Sequence, residues 1–197
     1  MRLKAMAKIN LGLDVLGKRE DGYHEVRMIM QTIRMYDILD IRKTRRPGIV
    51  LTTNLPFIPT DQRNLVYKAA QMLMEEFDVE EGLSIKLRKF IPVAAGMAGG
   101  SSDAAAAFVG VNRMFHLGLT EEQLMERAVK VGADVPYCIM RGTALAEGIG
   151  EKLTRLPEVP KCYVLIGKPG INVSTKTAYE NLNLEGIGKH PDIDGLI

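Results

Sequence analysis

The chain has 197 residues, of which 46% are hydrophobic and 25% charged, and its formal net charge is +2. This composition predicts a folded chain with one sizeable core and argues against wholesale disorder. The small net charge excludes a broadly basic surface for nucleic acid or membrane, and no stretch approaches ~18 uninterrupted apolar residues. Because MRLKAMAKIN also lacks the apolar stretch of a signal peptide, we expect a cytoplasmic protein.

Most of the first ninety residues are predicted to form strands. In LGLDVLG, Leu11, Leu13 and Val15 share one face with period two. Asp21-Gly22 is a strong hairpin signal, and VRMIMQTI is predicted to be the return strand. DILDIRK and IVLTT are predicted to pair with each other around RRPG. The basic residues beside that turn are interpreted as a solvated cluster: Arg42, Lys43, Arg45 and Arg46.

The remaining elements follow from periodicity and capping signals. RNLVYKAAQMLMEEF predicts a helix, and LSIKLRKF alternates as a strand does. One helix is predicted over residues 102–116, and a second begins at Thr120, where TEEQ makes a capping box with Gln123. GTALAEG and CYVLIGKPG are predicted strands. Because strands and helices do not alternate regularly, the predicted class is α+β rather than doubly wound α/β.

Cysteines and histidines give no metal-binding pattern. Cys138 and Cys162 form no CxxC pair, so both are predicted to be reduced and buried. The histidines are scattered along the chain, at His24, His116 and His190. The ligands of any metal therefore stay unassigned.

Residues 91–107, IPVAAGMAGGSSDAAAA, predict a glycine loop that leads into a helix. Its glycines permit positive φ, and the Ser101–Asp103 stretch consists of preferred N-cap residues. A helix N-terminus offers unpaired N–H groups to a phosphate. Neither the Walker pattern GxxxxGK[ST] nor GxGxxG in its usual context matches. From these residues alone, anion binding and a tight strand-to-helix connection are equally open.

The glycine loop resembles the central motif of the GHMP kinases, a family that phosphorylates small molecules. AKINLGLDVLGKREDGYHEV and GADVPYCIMRGTALAEGIGEKL are similar to two further blocks of one branch, so the likeness runs from about Ala7 to Tyr179. It implies the GHMP kinase N-terminal fold, which is similar to domain 2 of ribosomal protein S5. Since members of the family continue further, we expect an N-terminal domain over residues 1–160 and the start of a second domain over residues 161–197.

The resembled branch uses ATP to phosphorylate the 2-hydroxyl of 4-diphosphocytidyl-2-C-methyl-D-erythritol, in the non-mevalonate route to isoprenoids. By resemblance, Asp134 of GADVP is the base that takes the hydroxyl proton, and Lys8 of AKIN supports it. Without the resemblance, Asp134 would be interpreted as a turn residue and Lys8 as a solvated strand residue.

The resemblance also implies how the cytidine is bound. Tyr23 would stack on the cytosine and His24 would hydrogen-bond to it, with Tyr179 as the opposing wall. Asn10 would lie near the substrate hydroxyls. In isolation, Tyr23 and His24 would be a packed aromatic residue and a surface histidine.

For the nucleotide, the loop would wrap the ATP phosphates with backbone N–H groups, and Mg²⁺ would accompany ATP to neutralise charge. Ser101 is the expected protein oxygen near the ion. Lys89 is expected near the nucleotide, the alternative being a solvated strand end. Ala94 replaces a frequent glycine, and a methyl group is tolerated there if φ is negative. The residues predicted to bind the nucleotide are Asn64, Leu65, Val66, Lys89, Pro92, Ala94, Gly96, Ala98, Gly99, Gly100, Ser101 and Ser102.

Two alternatives stay open. The first is another GHMP-type kinase, such as a mevalonate or homoserine kinase, although those substrates offer no cytosine to GYH and Tyr179. The second is a non-catalytic nucleotide- or RNA-binding fragment, which would need a basic, aromatic-rich face that the cluster at 42–46 does not supply. The expected partner is therefore a small molecule, with neither nucleic acid nor membrane.

Overall fold

The computed structural model describes residues 1–170, 175–184, 186 and 188–197. In these residues the fold is α+β, as predicted, with one six-stranded sheet. Its strands are β1 (Arg2–Lys18), β2 (His24–Thr44), β3 (Ile49–Thr53), β4 (Gly82–Arg88), β5 (Thr143–Glu147) and β6 (Lys152–Leu156). The helices are α1 (Leu65–Glu76), α2 (Gly99–Phe115), α3 (Glu121–Ala128), α4 (Val135–Met140) and α5 (Thr175–Glu180), and a 3-10 turn spans Asp194–Leu196. None of the helices described is long and apolar enough to cross a membrane.

β1 and β2 form a long antiparallel hairpin around the predicted Asp21-Gly22 turn. Gly22 has φ +85°, a conformation that glycine adopts without a Cβ clash. Three register shifts interrupt β1, and bulges of this kind change which face a residue presents. Leu11 and Leu13 are exposed while Val15 is buried, although no register shift separates Leu13 from Val15, so period two does not set burial in this strand.

The prediction that DILDIRK pairs with IVLTT was wrong. DILDIRK is part of β2, and β4 lies between β2 and β3 in the sheet order β3-β4-β2-β5-β6. β3 instead runs parallel to β4, and α1 makes the crossover between them, as a parallel pair requires. The residues of the basic cluster at 42–46 are exposed, at the end of β2 and in the turn after it.

α2 lies at the centre of the helical layer, in contact with α1, α4, β1 and β2. It begins at Gly99, before the predicted start, and its N-cap is Ala98 in the left-handed conformation. Ser102 and Asp103, which are N-cap residue types, are instead buried inside the helix. The capping box at the start of α3 is present as predicted.

The C-terminal part differs from the sequence prediction in its strands and in one cysteine. CYVLIGKPG forms no strand, and β6, which was not predicted, pairs with β5. Cys138 is buried as expected, but Cys162 is exposed. The tail packs on the sheet, where Ile193 is buried against Ile29 and Leu145.

Replacing Gly82 tests how closely the turn into β3 approaches the start of β4. A Cβ built on Gly82 would lie 1.8 Å from the Arg46 carbonyl oxygen, because the turn into β3 passes over the start of β4. Gly82→Ala should therefore lower the free energy of unfolding by about 1–3 kcal/mol, measured by urea denaturation.

Gly17→Ala is the matched control, since a Cβ there meets nothing within 4 Å and Gly17 also lies in a strand. Equal stability of the two variants would contradict the close approach at Gly82.

Candidate active site

A cleft of about 1410 Å³ lies between the β1–β2 hairpin, the residues after β4, the start of α2 and the residue before α4. Most residues predicted to be functional line it: Lys8, Asn10, Tyr23, His24, Asn64, Leu65, Lys89, Pro92, Ala94, Gly96, Ala98, Gly99, Gly100, Ser101, Asp134 and Tyr179. The fold thus brings together segments from distant parts of the sequence.

Val66 and Ser102 were also predicted to bind the nucleotide, but the structure places both in the core. Val66 is fully buried, and its N–H donates to Asn64 Oδ1 at 2.9 Å. The Ser102 hydroxyl donates to the Met6 carbonyl at 2.5 Å, and the Ser102 N–H donates to the Ala98 carbonyl at 2.8 Å. These two residues are therefore held by contacts within the protein and do not line the cleft.

Lys8 and Asp134 meet at one side of the cleft. Lys8 Nζ donates to Asn10 Oδ1 at 3.0 Å and lies 3.7 Å from Asp134 Oδ2. Asp134 occupies the N-cap position of α4, but its side chain makes no capping hydrogen bond and is 32% exposed. The pair therefore consists of a buried ammonium and a carboxylate that is accessible from the cleft.

The backbone of β1 is tied to the glycine loop next to this pair. The Lys8 N–H donates to the Met97 carbonyl at 3.2 Å. Ser102 on α2 adds the bond to Met6 and a contact of 3.4 Å with Cys138 Sγ on α4. Burial raises the pKa of the Cys138 thiol to about 12, so this residue packs as a neutral group. β1, α2 and α4 therefore meet beside the cleft.

The glycine loop turns through left-handed backbone at three alternate positions. Ala94, Gly96 and Ala98 have φ values of +53°, +69° and +53°. The negative φ that would make an alanine easily tolerated at position 94 is therefore not present. An alanine in this conformation costs roughly 1 kcal/mol or more, because its Cβ approaches the following carbonyl oxygen.

The start of α2 faces the cleft with N–H groups that precede the first intrahelical bond. That first bond joins the Ser102 N–H to the Ala98 carbonyl, so Gly99, Gly100 and Ser101 supply the free end of the helix. All three residues line the cleft. This arrangement suits an anionic group, because the helix dipole adds partial positive charge.

A buried ionic cluster beneath the loop was not found by sequence reasoning. Lys89 Nζ donates to Asp37 and, at 2.6 Å, to Asp103 Oδ2. Asp37 Oδ1 also accepts the N–H groups of Phe90 at 2.5 Å and Ile91 at 2.8 Å. A signal for it existed, since Asp37 falls on the same face of its strand as the apolar alternate residues that follow it.

Asn54 fixes the same segment from the other side. The Lys89 N–H donates to Asn54 Oδ1 at 2.7 Å, and Asn54 Nδ2 donates to the Lys89 carbonyl at 3.1 Å. Lys89 lines the cleft as expected, but its side chain is only 5% exposed and its ammonium is bound by carboxylates. The alternative of a solvated strand end is therefore wrong.

Aromatic side chains lie at the other end of the cleft. The rings of His24 and Tyr179 are stacked, with centroids 5.0 Å apart and an angle of 30° between the planes. This pairing was not part of the prediction, which placed Tyr179 opposite Tyr23. Tyr23 itself is 58% exposed, so its ring is accessible to a ligand.

The cleft offers little for a metal ion from side chains alone. In the described part of the chain, no three His, Cys, Asp or Glu side chains form a group that could hold one. Ser101 lines the cleft and is an isolated oxygen donor. These residues fit an ion bound mainly by phosphate oxygens and water, which is how Mg²⁺ commonly binds beside a nucleotide.

Comparisons with known proteins identify relatives along the whole chain. The family model described as "GHMP kinases N terminal domain" matches residues 64–142. A protein of Lachnospira eligens named 4-diphosphocytidyl-2-C-methyl-D-erythritol kinase is 57% identical over 100% of this chain and 68% of its own length. A protein of the same name from Lachnoclostridium phytofermentans is 58% identical over 99% of this chain and 67% of its own length. This chain therefore spans about two thirds of these relatives.

Solved structures agree with this similarity. A crystal structure of 4-(cytidine 5'-diphospho)-2C-methyl-D-erythritol kinase matches 98% of this chain and 69% of its own chain, with a TM-score of 0.80 and 32% identity. A homoserine kinase from Cytophaga hutchinsonii has a TM-score of 0.65 and 17% identity, covering 91% of this chain and 60% of its own. The second likeness shows a shared fold alone.

Two glycines of the loop have different backbone conformations, so replacing each with alanine should affect stability differently. Gly96→Ala should lower the free energy of unfolding by about 1–2 kcal/mol, because Gly96 has φ +69°. Gly100→Ala should not, since Gly100 is helical and a Cβ there would lie 3.7 Å from Leu65 Cδ1, an ordinary contact. Urea denaturation of both variants measures this, and greater loss of stability in Gly100→Ala would contradict the described loop.

Proposed function

Since the chain belongs to the 4-diphosphocytidyl-2-C-methyl-D-erythritol kinases, a branch of the GHMP kinase family that serves isoprenoid synthesis, we propose that it transfers the γ-phosphoryl group of ATP to the 2-hydroxyl of 4-diphosphocytidyl-2-C-methyl-D-erythritol. The observation that carries this reaction is the placement of the Lys8–Asp134 pair beside the glycine loop. The Lys8 ammonium lies 3.7 Å from the Asp134 carboxylate, and the Lys8 N–H is bonded to Met97 within that loop.

Asp134 is the proposed general base. An alcohol is a poor nucleophile near neutral pH, so a carboxylate must accept its proton as the bond to phosphorus forms. Asp134 suits this role because its carboxylate lines the cleft and makes no capping bond. In the proposed step, the hydroxyl oxygen attacks the γ-phosphorus in line, ADP leaves, and the proton passes to Asp134.

Lys8 is proposed to orient this base and to offset negative charge on the transferring group. Its side chain is 6% exposed, and the bond to Asn10 fixes the position of the ammonium. A preorganised cation in a site of low water content stabilises charge that develops during transfer more strongly than a cation in bulk water does. Asn10 is proposed to lie near the substrate hydroxyls.

The ATP phosphates are proposed to bind at the start of α2, through N–H groups of the loop over residues 96–101. Asn64 and Leu65 line the cleft and are proposed to border the adenine. Mg²⁺ arriving with ATP would neutralise charge on the β- and γ-oxygens, with Ser101 as the proposed protein oxygen near it. The chain's own contribution is to hold the phosphates in a fixed orientation.

The cytosine is proposed to bind at the aromatic end of the cleft, against Tyr23, His24 and Tyr179. Stacking on an aromatic face contributes about 1–3 kcal/mol per base, so these rings favour a cytidine-bearing acceptor over mevalonate or homoserine.

The division into a nucleotide-binding domain over residues 1–160 and the start of a second domain over residues 161–197 also remains a proposal.

Changing Asp134 tests the reaction. ATP consumption with 4-diphosphocytidyl-2-C-methyl-D-erythritol should fall by about 10²–10⁴-fold in Asp134→Asn, since the base is lost while the shape is kept. This comparison should be made in the present chain and in a form extended to the full length of its relatives.

Asp78→Asn is the matched control. Asp78 is exposed beyond the end of α1, and asparagine accommodates its φ of +48°. Full activity of Asp134→Asn would contradict the assigned base. Phosphorylation of mevalonate or homoserine in preference to the cytidine compound would contradict the assigned acceptor.

A further inference from the structure

We propose that Asp103 is a positioning residue of the nucleotide site and acts as a neutral carboxylic acid. Together with Asp37 it binds the Lys89 ammonium beneath the glycine loop, and these three side chains form the Asp37–Lys89–Asp103 cluster. This inference rests on the proposed binding of ATP phosphates by that loop.

The ammonium of Lys89 lies directly against the start of α2. A Cβ built on Gly99 would be 3.2 Å from Lys89 Nζ, so the ammonium lies beside the space where Gly99 lacks a side chain. Asp103 follows Gly99 by four residues, which places its side chain on the same face of the helix. The Asp37–Lys89–Asp103 cluster therefore supports the first turn of α2, whose N–H groups face the cleft.

The two carboxylates around this ammonium are not equivalent. Asp37 accepts hydrogen bonds from Lys89, Phe90 and Ile91 and is fully buried. Within the described part of the chain, Asp103 accepts one bond, from Lys89 through Oδ2, and its buried Oδ1 has no hydrogen-bond partner there. A buried charge needs pairing and hydrogen bonds, so the negative charge belongs on Asp37 and the proton on Asp103.

The surroundings of Asp103 agree with this assignment. Burial raises the pKa of Asp103 to about 8, because Lys89 only partly offsets the loss of water and Asp37 adds to the increase. Asp37 on β2 and Lys89 after β4 are the charged groups that act on it. The other elements at this turn present the Leu65 side chain from α1, the Met6 carbonyl from β1 and the Cys138 thiol from α4.

The proton on Asp103 sets the charge beneath the phosphates. With Asp103 neutral, Lys89 and Asp37 cancel, and the N–H groups and dipole of α2 act on the phosphates unopposed. With Asp103 ionised, the Asp37–Lys89–Asp103 cluster has one excess negative charge, which repels phosphate. Nucleotide affinity should therefore decrease as Asp103 loses its proton.

Isothermal titration of ATP into the wild-type chain, Asp103→Asn and Asp103→Ala between pH 7 and 9.5 tests this role. Asparagine mimics the neutral acid, so Asp103→Asn should bind as the wild type does at pH 7 and keep that affinity at pH 9.5. The wild type should lose affinity by about tenfold over the same range, the order of one charge–charge repulsion across roughly 12 Å at an effective dielectric constant of about 20.

Asp103→Ala should bind ATP more weakly than the wild type at pH 7, because alanine cannot accept the hydrogen bond from the Lys89 ammonium. Two results would overturn the inference: Asp103→Asn as weak as Asp103→Ala at pH 7, or parallel pH profiles for the wild type and Asp103→Asn. Absence of ATP binding by the wild type at every pH would overturn the proposed function as well.

Urea denaturation gives a readout that does not depend on ATP. The folded state holds a proton that the unfolded chain releases near pH 3.8, the usual pKa of an aspartate. The stability of the wild type relative to Asp103→Asn should therefore decrease as pH rises from about 4 to 8 and stay constant above that. A relative stability that rises between pH 2 and 4 and is then flat would show an ionised Asp103 and overturn the inference alone.

Discussion

The carboxylate of Asp37 is the contact on which the geometry of the cleft depends. It is fully buried on β2, yet it binds the Lys89 ammonium and the N–H groups of Phe90 and Ile91. These residues immediately follow β4 and lead into the glycine loop. Removing one partner of such a buried pair costs about 3–5 kcal/mol, since it leaves a charge without compensation. The path of the chain into the loop is therefore fixed before the loop begins.

A second set of contacts explains why motifs far apart in sequence form one cleft. The Lys8 N–H bonds to Met97 in the loop, and the Ser102 side chain reaches both Met6 on β1 and Cys138 on α4. α4 starts directly after Asp134. The proposed base, its partner ammonium and the helix end that is proposed to bind the phosphates are thus held by three elements that pack on one another. Such preorganisation is what phosphoryl transfer requires, because most of its catalysis is positioning and electrostatics.

Much of the local structure could be predicted because it depends on neighbouring residues. The Asp21-Gly22 hairpin and the Thr120 capping box have short-range signals, and both are present. The order of β3 and β4 could not be inferred in this way, since strand pairing is decided by the crossover through α1. In β1, period two predicted a shared face for Leu11, Leu13 and Val15, but only Val15 is buried. Burial along this strand depends on what packs against each residue, which the alternation does not indicate.

The candidate site likewise has parts that the sequence predicts and parts that depend on tertiary packing. Its motifs were found through their resemblance to a family, whereas the Asp37–Lys89–Asp103 cluster requires side chains from β2, the end of β4 and α2 to meet. The positive φ of Ala94 also depends on how the loop is held at both ends, which the alanine itself does not indicate. A charged residue on an otherwise apolar strand face, as at Asp37, is the signal that sequence reasoning should use.

Native-state hydrogen exchange of the wild-type chain tests the central claim, that Asp37 anchors the segment before the glycine loop. The Phe90 and Ile91 amides lie outside the strands, and the Phe90 side chain is 60% exposed. The account predicts that both amides exchange as slowly as that of Ile85 in the middle of β4, since exchange then requires breaking the bonds to Asp37. Exchange as fast as in the exposed turn over residues 45–47 would contradict it.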